Sequence, residues 1–211
     1  MIINPTLKKS KEVVNNFDTI RDLISFQDPN SFYFLQILKR RKDNPDLERD
    51  MIHIADYYIF NQEQFDRLEP IIISQCEREN ARAYFRINRR DSKKLAFQVL
   101  KRVADYIASE NYNAVKSAYA ACSGEFSGDE DKKWIIDIDW KDWINKAEVG
   151  AVLMPMVEEL QEEAGRDPLA KIIPTKNGMH IITRPFNLQK LKEKYPKLDV
   201  HKDNPTILYC P

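Results

Sequence analysis

Glycine is scarce in this chain, with five in 211 residues, and no tract of biased composition occurs. Collagen-like and low-complexity architectures are therefore excluded, and no internal repeat suggests a solenoid or propeller. Cysteine is almost as rare. Cys76, Cys122 and Cys210 are far apart, odd in number and form no C-x-x-C or other zinc spacing, which excludes a disulfide framework and a cysteine-bound zinc cluster. Free thiols in a reducing compartment are expected. No run of about 18 apolar residues is present, and "MIINPTLKKSKEVV" lacks the apolar core of a secretory signal. These absences predict a soluble, cytoplasmic protein with no membrane partner. An excess of one charge is also lacking, because 33 basic residues balance 33 acidic ones. Net charge says nothing about partners.

What the chain does contain is globular: 43% hydrophobic and 10% aromatic residues over a length that accommodates one domain of two lobes. Charge is distributed unevenly. Arg82 to Arg102 holds eight basic residues against one acidic, and Lys171 to Lys202 holds eight against two, whereas Glu125 to Glu163 holds twelve acidic against four basic. Brought together, these segments would put a cationic rim around an acidic centre, a layout suited to phosphates and bridging metal ions. Solvated helix faces give the same runs.

Periodicity predicts strands over 32–38, 52–60 and 82–88. Asn61 is placed to cap a short helix, and Pro70 to stand in the first turn of another. In 82–88, Arg82, Tyr84, Arg86 and Asn88 share one face, either lining a groove or facing water. From Asp91 or Ser92 a helix carries Leu95, Val99, Leu100, Val103, Tyr106 and Ile107 at helical spacing. "CSGEFSGDEDKK" reads as a loop between lobes of about 1–122 and 130–211. A second amphipathic helix runs from Val149 to about Ala164, its Met-rich stripe facing core and ending near Gly165. "AKIIPTKNGMHIITRPF" follows as two short strands joined by the turn "PTKNG", and then the strands "LDVH" and "TILY" separated by the turn "KDNP". The class is α+β with segregated layers.

The chemistry concentrates in two stretches. In "WIIDID", Asp137 and Asp139 are two apart on an apolar strand and so point to one face, where buried charge requires a partner. Their oxygens could surround Mg²⁺ or Mn²⁺, or pair with arginine or lysine at a strand end. In "PTKNGMH", Gly178 allows close backbone approach, and Thr175, Lys176, Asn177 and the neighbouring amides offer donors to phosphate oxygens. His180 follows on a strand, where it is either directed at the same ligand or a satisfied structural histidine.

An hhDhD strand, about 40 residues with one helix, and then Gly178-Met179-His180 together resemble the archaeo-eukaryotic primase superfamily, which includes primase-polymerases and the polymerase domain of bacterial end-joining ligases. "PTKNGMH" is similar to the end-joining form of the second motif, and "ARAYFRINRR" adds weaker support. The likeness covers mainly residues 130 to 210. It implies a two-lobed primase-polymerase-like fold whose RRM-like second half carries both motif strands.

It further implies Asp137, Asp139 and His180 as catalytic residues. The metal ligands would be Asp137, Asp139 and a third carboxylate, for which Asp199 fits the family's apolar-acidic motif and Asp203, in the "KDNP" turn, is the alternative. Thr175, Lys176, Asn177, Gly178 and His180 would bind the nucleotide phosphates. Lys39, Arg40, Arg41 and Lys42, with Arg82, Arg86, Arg89 and Arg90, are the candidates for a nucleic-acid strand, through contacts that position without reading sequence. The implied activity is that of a DNA-directed primase or primase-polymerase, joining nucleoside triphosphates on single-stranded DNA or RNA with Mg²⁺ or Mn²⁺, alongside replication proteins and in the manner of a phage element. A catalytically inactive nucleotide- or partner-binding module of the same fold is the alternative, since the chain has no zinc cluster and no helicase region. A two-metal phosphoesterase fits the strand order less well.

Overall fold

The computed structural model describes residues 13–125, 131–142 and 146–211. The readings of the first twelve residues and of loop positions 126–130 lie outside them. β1 (Val14–Asn15) leads into α1 (Phe17–Arg21), which buries Phe17 and Ile20. Five residues are too few to display a helical period. β2 (Ser31–Arg40) and β3 (Met51–Ile59) pair antiparallel, the first extending beyond the expected 32–38.

Asn61 caps α2 (Gln62–Glu79), its side-chain oxygen accepting the Gln64 N–H at 2.8 Å. Pro70, expected in a first helical turn, lies instead in the middle of this one long helix. Proline forfeits one backbone bond there, and the buried stripe Phe65, Ile72 and Cys76 holds the helix together across the gap. β4 (Arg82–Asp91) follows, and the Asp91 carboxylate caps α3 (Ser92–Ala108) by accepting the Lys94 N–H.

A 3-10 helix over Tyr112–Ser117 and α4 (Ala118–Glu125) come next. Cys122 to Glu125, expected as loop, are helical: Cys122 and Ser123 are buried, and Arg102 of α3 grips Glu125 with two bonds of 2.9 and 2.6 Å. α3 itself differs from its pattern. Only Leu95 is buried, because only one edge of the helix meets α4 and the sheet, while Leu100 and Ile107 face outward.

β5 (Trp134–Asp139) carries the paired aspartates. The expected helix from Val149 is built in pieces: α5 (Lys146–Glu148), a π-helical turn at Val149–Leu153, and α6 (Met154–Glu163), which stops before Gly165 at φ 69°. β6 (Lys171–Thr175) and β7 (Gly178–Thr183) form the expected hairpin, followed by α7 (Leu188–Lys194), β8 (Asp199–His201) and β9 (Thr206–Cys210).

The strands make two antiparallel sheets, ordered β1-β9-β4-β2-β3 and β6-β7-β5-β8. The class is thus α+β. β9, expected within the second half, returns to the first sheet between β1 and β4, and all five of its residues are buried. One apolar cluster runs from Phe17, Phe65 and Phe85 across to Ile135, Ile173 and Ile182 of the second sheet. The opposite face of the second sheet packs Ile136, Ile138 and Ile181 against Val157, Leu160 and Leu191 of α6 and α7. All three cysteines are free and buried. Among the described residues no helix is long and apolar enough to cross a membrane.

Candidate functional site

Alternation along β5 sends Ile136 and Ile138 into the helical layer and Ile135, Asp137 and Asp139 to the other face. The antiparallel register then sets Asp137 directly between His180 of β7 and Asp199 of β8, with Asp139 opposite Gly178. Directly paired positions share a face with Cβ atoms about 5 Å apart. Asp137, Asp139, His180 and Asp199 therefore form one polar patch at the end of a face whose apolar residues Ile135, Ile173 and Ile182 are core.

His180 is the buried member, with its side chain 14% exposed against 38% for Asp137. Its Nε2 stands 3.5 Å from Asp137 Oδ1, and its Nδ1 stands 2.7 Å from the Thr206 hydroxyl on β9. Burial pushes the imidazole pKa below its ordinary value, and His201 adds to this against the pull of Asp137 and Asp139. A neutral ring serves both contacts by donating at one nitrogen and accepting at the other. The open edge belongs to Asp139, which pairs with exposed Lys141 at 3.3 Å.

Above Asp139 lies the β6–β7 turn. A Cβ on Gly178 would lie 1.8 Å from the Ile138 carbonyl oxygen, so the absent side chain permits the approach of β7 to β5. This is a structural use of the glycine, since the backbone it approaches is the protein's own. Thr175, Lys176 and Gly178 border a cleft of about 510 Å³ between β1 and β6, with Trp140, Ile172 and Pro174 along its wall. The Asn177 carbonyl accepts the Trp140 N–H at 3.0 Å.

The Lys176 ammonium reaches across to the first lobe, where it meets Asp43 Oδ1 at 2.8 Å. Arg82 grips the same carboxylate with two bonds of 2.7 Å. Burial alone would raise this carboxyl, but the hydrogen bonds from Arg82 and Lys176 outweigh it and hold it at about 2. Beside it, burial and then Arg82 and Arg40 push the Lys42 ammonium down, opposed by Asp43 and Asp139. Lys42 is thus close enough to Asp139 to feel its charge.

The arginines of β4 are placed inside the molecule. Arg90 is fully buried, with its guanidinium forked onto Asp203 at 3.1 and 3.0 Å and bonded to the Ser123 and Asn88 carbonyls. Arg86 donates to the Asp203 carbonyl, and burial together with Arg90 lowers it to about 10. Asn88 bonds the Asp203 carboxylate and both the N–H and C=O of Lys133, where β5 begins. The polar row on this strand is a seam between the first sheet and the segments that lead into β5 and β9. Lys39, Arg40 and Arg41 remain at the outer end of β2, partly or fully exposed, with Arg40 bonded to the Tyr84 hydroxyl.

Asp43 and Thr206 are the site's neighbours that motif reading missed. A signal for Asp43 existed: the tetrapeptide Lys-Asp-Asn-Pro occurs at 42–45 and again at 202–205. In both copies the aspartate takes a forked β4 arginine, Arg82 in one and Arg90 in the other. Thr206 carried no signal, because its contact with His180 depends on β9 joining the first sheet.

Among the described residues no three His, Cys, Asp or Glu side chains are gathered into a ready cation cage. The oxygen donors of Asp137, Asp139 and Asp199 nevertheless suit Mg²⁺ or Mn²⁺, which bind through few carboxylates and complete their shells with water and phosphate. The Asp203 carboxylate is already occupied by Arg90 and Asn88. Compared with protein-family models, curated proteins and solved structures, the chain matches none.

Proposed function

We propose that this protein is a metal-dependent nucleotidyltransferase of the primase or primase-polymerase type, acting on nucleoside triphosphates along a single-stranded template. The observation that carries the reading is the row Asp199–Asp137–His180 across three adjacent strands, with Asp139 on the same face. Two motifs about 40 residues apart in the chain meet there in register.

Asp137, Asp139 and Asp199 would hold Mg²⁺ or Mn²⁺, which supplies charge stabilisation to the attacking and leaving oxygens of phosphoryl-type transfer. Thr206 orients His180 so that its far nitrogen faces the carboxylate side and donates to a phosphate oxygen. Lys42 and Lys176 give the rim of the patch positive charge for the triphosphate. With Arg82, Arg86 and Arg90 in the seam, template phosphates fall to Lys39, Arg40 and Arg41.

One observation favours the second reading, a nucleotide- or partner-binding module of the same fold. Lys176 is bonded to Asp43, so a phosphate must compete with a carboxylate for it. Calorimetry with a nucleoside triphosphate in Mn²⁺ separates the two. The enzyme reading expects binding that requires the metal and is lost in Asp137→Ala/Asp139→Ala with an unchanged melting temperature. Metal-independent binding that survives the double substitution supports the module, and a lowered melting temperature in metal-free buffer identifies the aspartates as structural.

A further inference from the structure

Helix α3 presents two unlike faces. On one side Leu95 is buried, Val99 packs with Phe32, Phe34 and Cys122, and Arg102 is tied to Glu125 of α4. On the opposite side Phe97, Leu100 and Ile107 are 63%, 67% and 52% exposed, and Ala104 is exposed among them. Single exposed apolar residues need no explanation, but a continuous stripe opposite the packed face does. The steps from 97 to 100, 104 and 107 are three, four and three residues, the seam of a helix that packs against another helix.

The charges beside this stripe select the occupant. Lys93 and Lys94 lie in the first turn of α3 and Lys101 just past its middle, whereas Asp105 lies in its last turn and Glu110 just beyond its end. Such a helix complements itself when reversed: basic residues meet the acidic end, where the helix carbonyls add partial negative charge. With a two-fold axis at residue 102, Phe97 stands opposite Ile107 of the second copy and Leu100 opposite Ala104, so each large side chain meets a gap or an aliphatic one. Lys101 and Asp105 from both copies interleave along one flank. We infer that the outer face of α3 is an interface with a second copy of this chain, formed as an antiparallel, two-fold helix pair.

Sedimentation velocity on the full chain over a wide concentration range tests this. The expected result is a reversible dimer that Leu100→Asp weakens roughly tenfold or more, as loss of a central apolar anchor does, with no change in the melting temperature measured at concentrations where the wild type is monomeric, because Leu100 touches solvent there. Lys101→Asp alone clusters acidic groups at the axis and weakens the dimer, and Lys101→Asp/Asp105→Lys restores it. A wild type that stays monomeric throughout overturns the proposal. So does a dimer indifferent to Leu100→Asp, or a charge exchange that fails to restore association.

Discussion

A carboxylate buried against a guanidinium holds a fold together only while both are charged, and Asp43 meets that condition twice over, with Arg82 and with Lys176. Its side chain is 8% exposed. Because its folded pKa of about 2 lies below the ordinary 3.8, the stability it contributes is complete above about pH 4 and disappears as pH falls through 2. The amount is on the order of 2 kcal/mol, one pKa unit being about 1.4. Urea unfolding of the wild type should therefore show an acid limb in this window that Asp43→Asn flattens. An unaltered limb in the variant would mean that other carboxylates account for it. Asp43→Ala should cost about 3–5 kcal/mol, since Arg82 is left buried without its partner.

At the scale of elements, the β6–β7 hairpin is the piece on which the site depends. Thr175 and Gly178 bracket a two-residue turn, and the Gly178 backbone lies so close to Ile138 that a methyl group has no space. Gly178→Ala should destabilise the protein by roughly 3 kcal/mol or more, read as a lower urea midpoint, and should widen the gap between β5 and β7. A variant as stable as the wild type would show that the strands separate without cost.

Elements governed by local pattern were legible in the sequence. Examples are β2, the Asn61 and Asp91 caps, the hairpin after α6, and the shared face of Asp137 and Asp139. What was not legible depended on burial or on distant partners. Pro70 marks a helix start by local rule, but the stripe from Phe65 to Cys76 overrides it. The row of basic residues on β4 reads as a surface until Asp43 and Asp203 arrive from 39 and 113 residues away. His180 and Asp199 could be named as candidates, whereas their placement on either side of Asp137 required the strand order.

For the whole molecule, the return of β9 matters most. It ties the end of the chain into the first sheet beside β4, and its first residue, Thr206, supplies the hydroxyl that holds His180 of the second sheet. The turn before it is clamped by Arg86, Asn88 and Arg90, and Asn88 also fixes Lys133 just before β5. The carboxylate patch is consequently set from both sheets, at a junction whose charged groups are largely neutralised in pairs. This arrangement separates two aspartates that are only four residues apart. Asp203 belongs to the clamp and Asp199 to the patch.

That separation makes one assay decisive for nucleotide transfer: incorporation of labelled nucleoside triphosphates on single-stranded DNA in Mg²⁺ or Mn²⁺. Wild type is compared with Asp137→Ala/Asp139→Ala, Asp199→Asn and Asp203→Asn. The account predicts metal-dependent product that is abolished in the double variant and in Asp199→Asn at full stability, while Asp203→Asn loses activity only in proportion to lost stability. Absence of product from wild-type protein with either metal would contradict it.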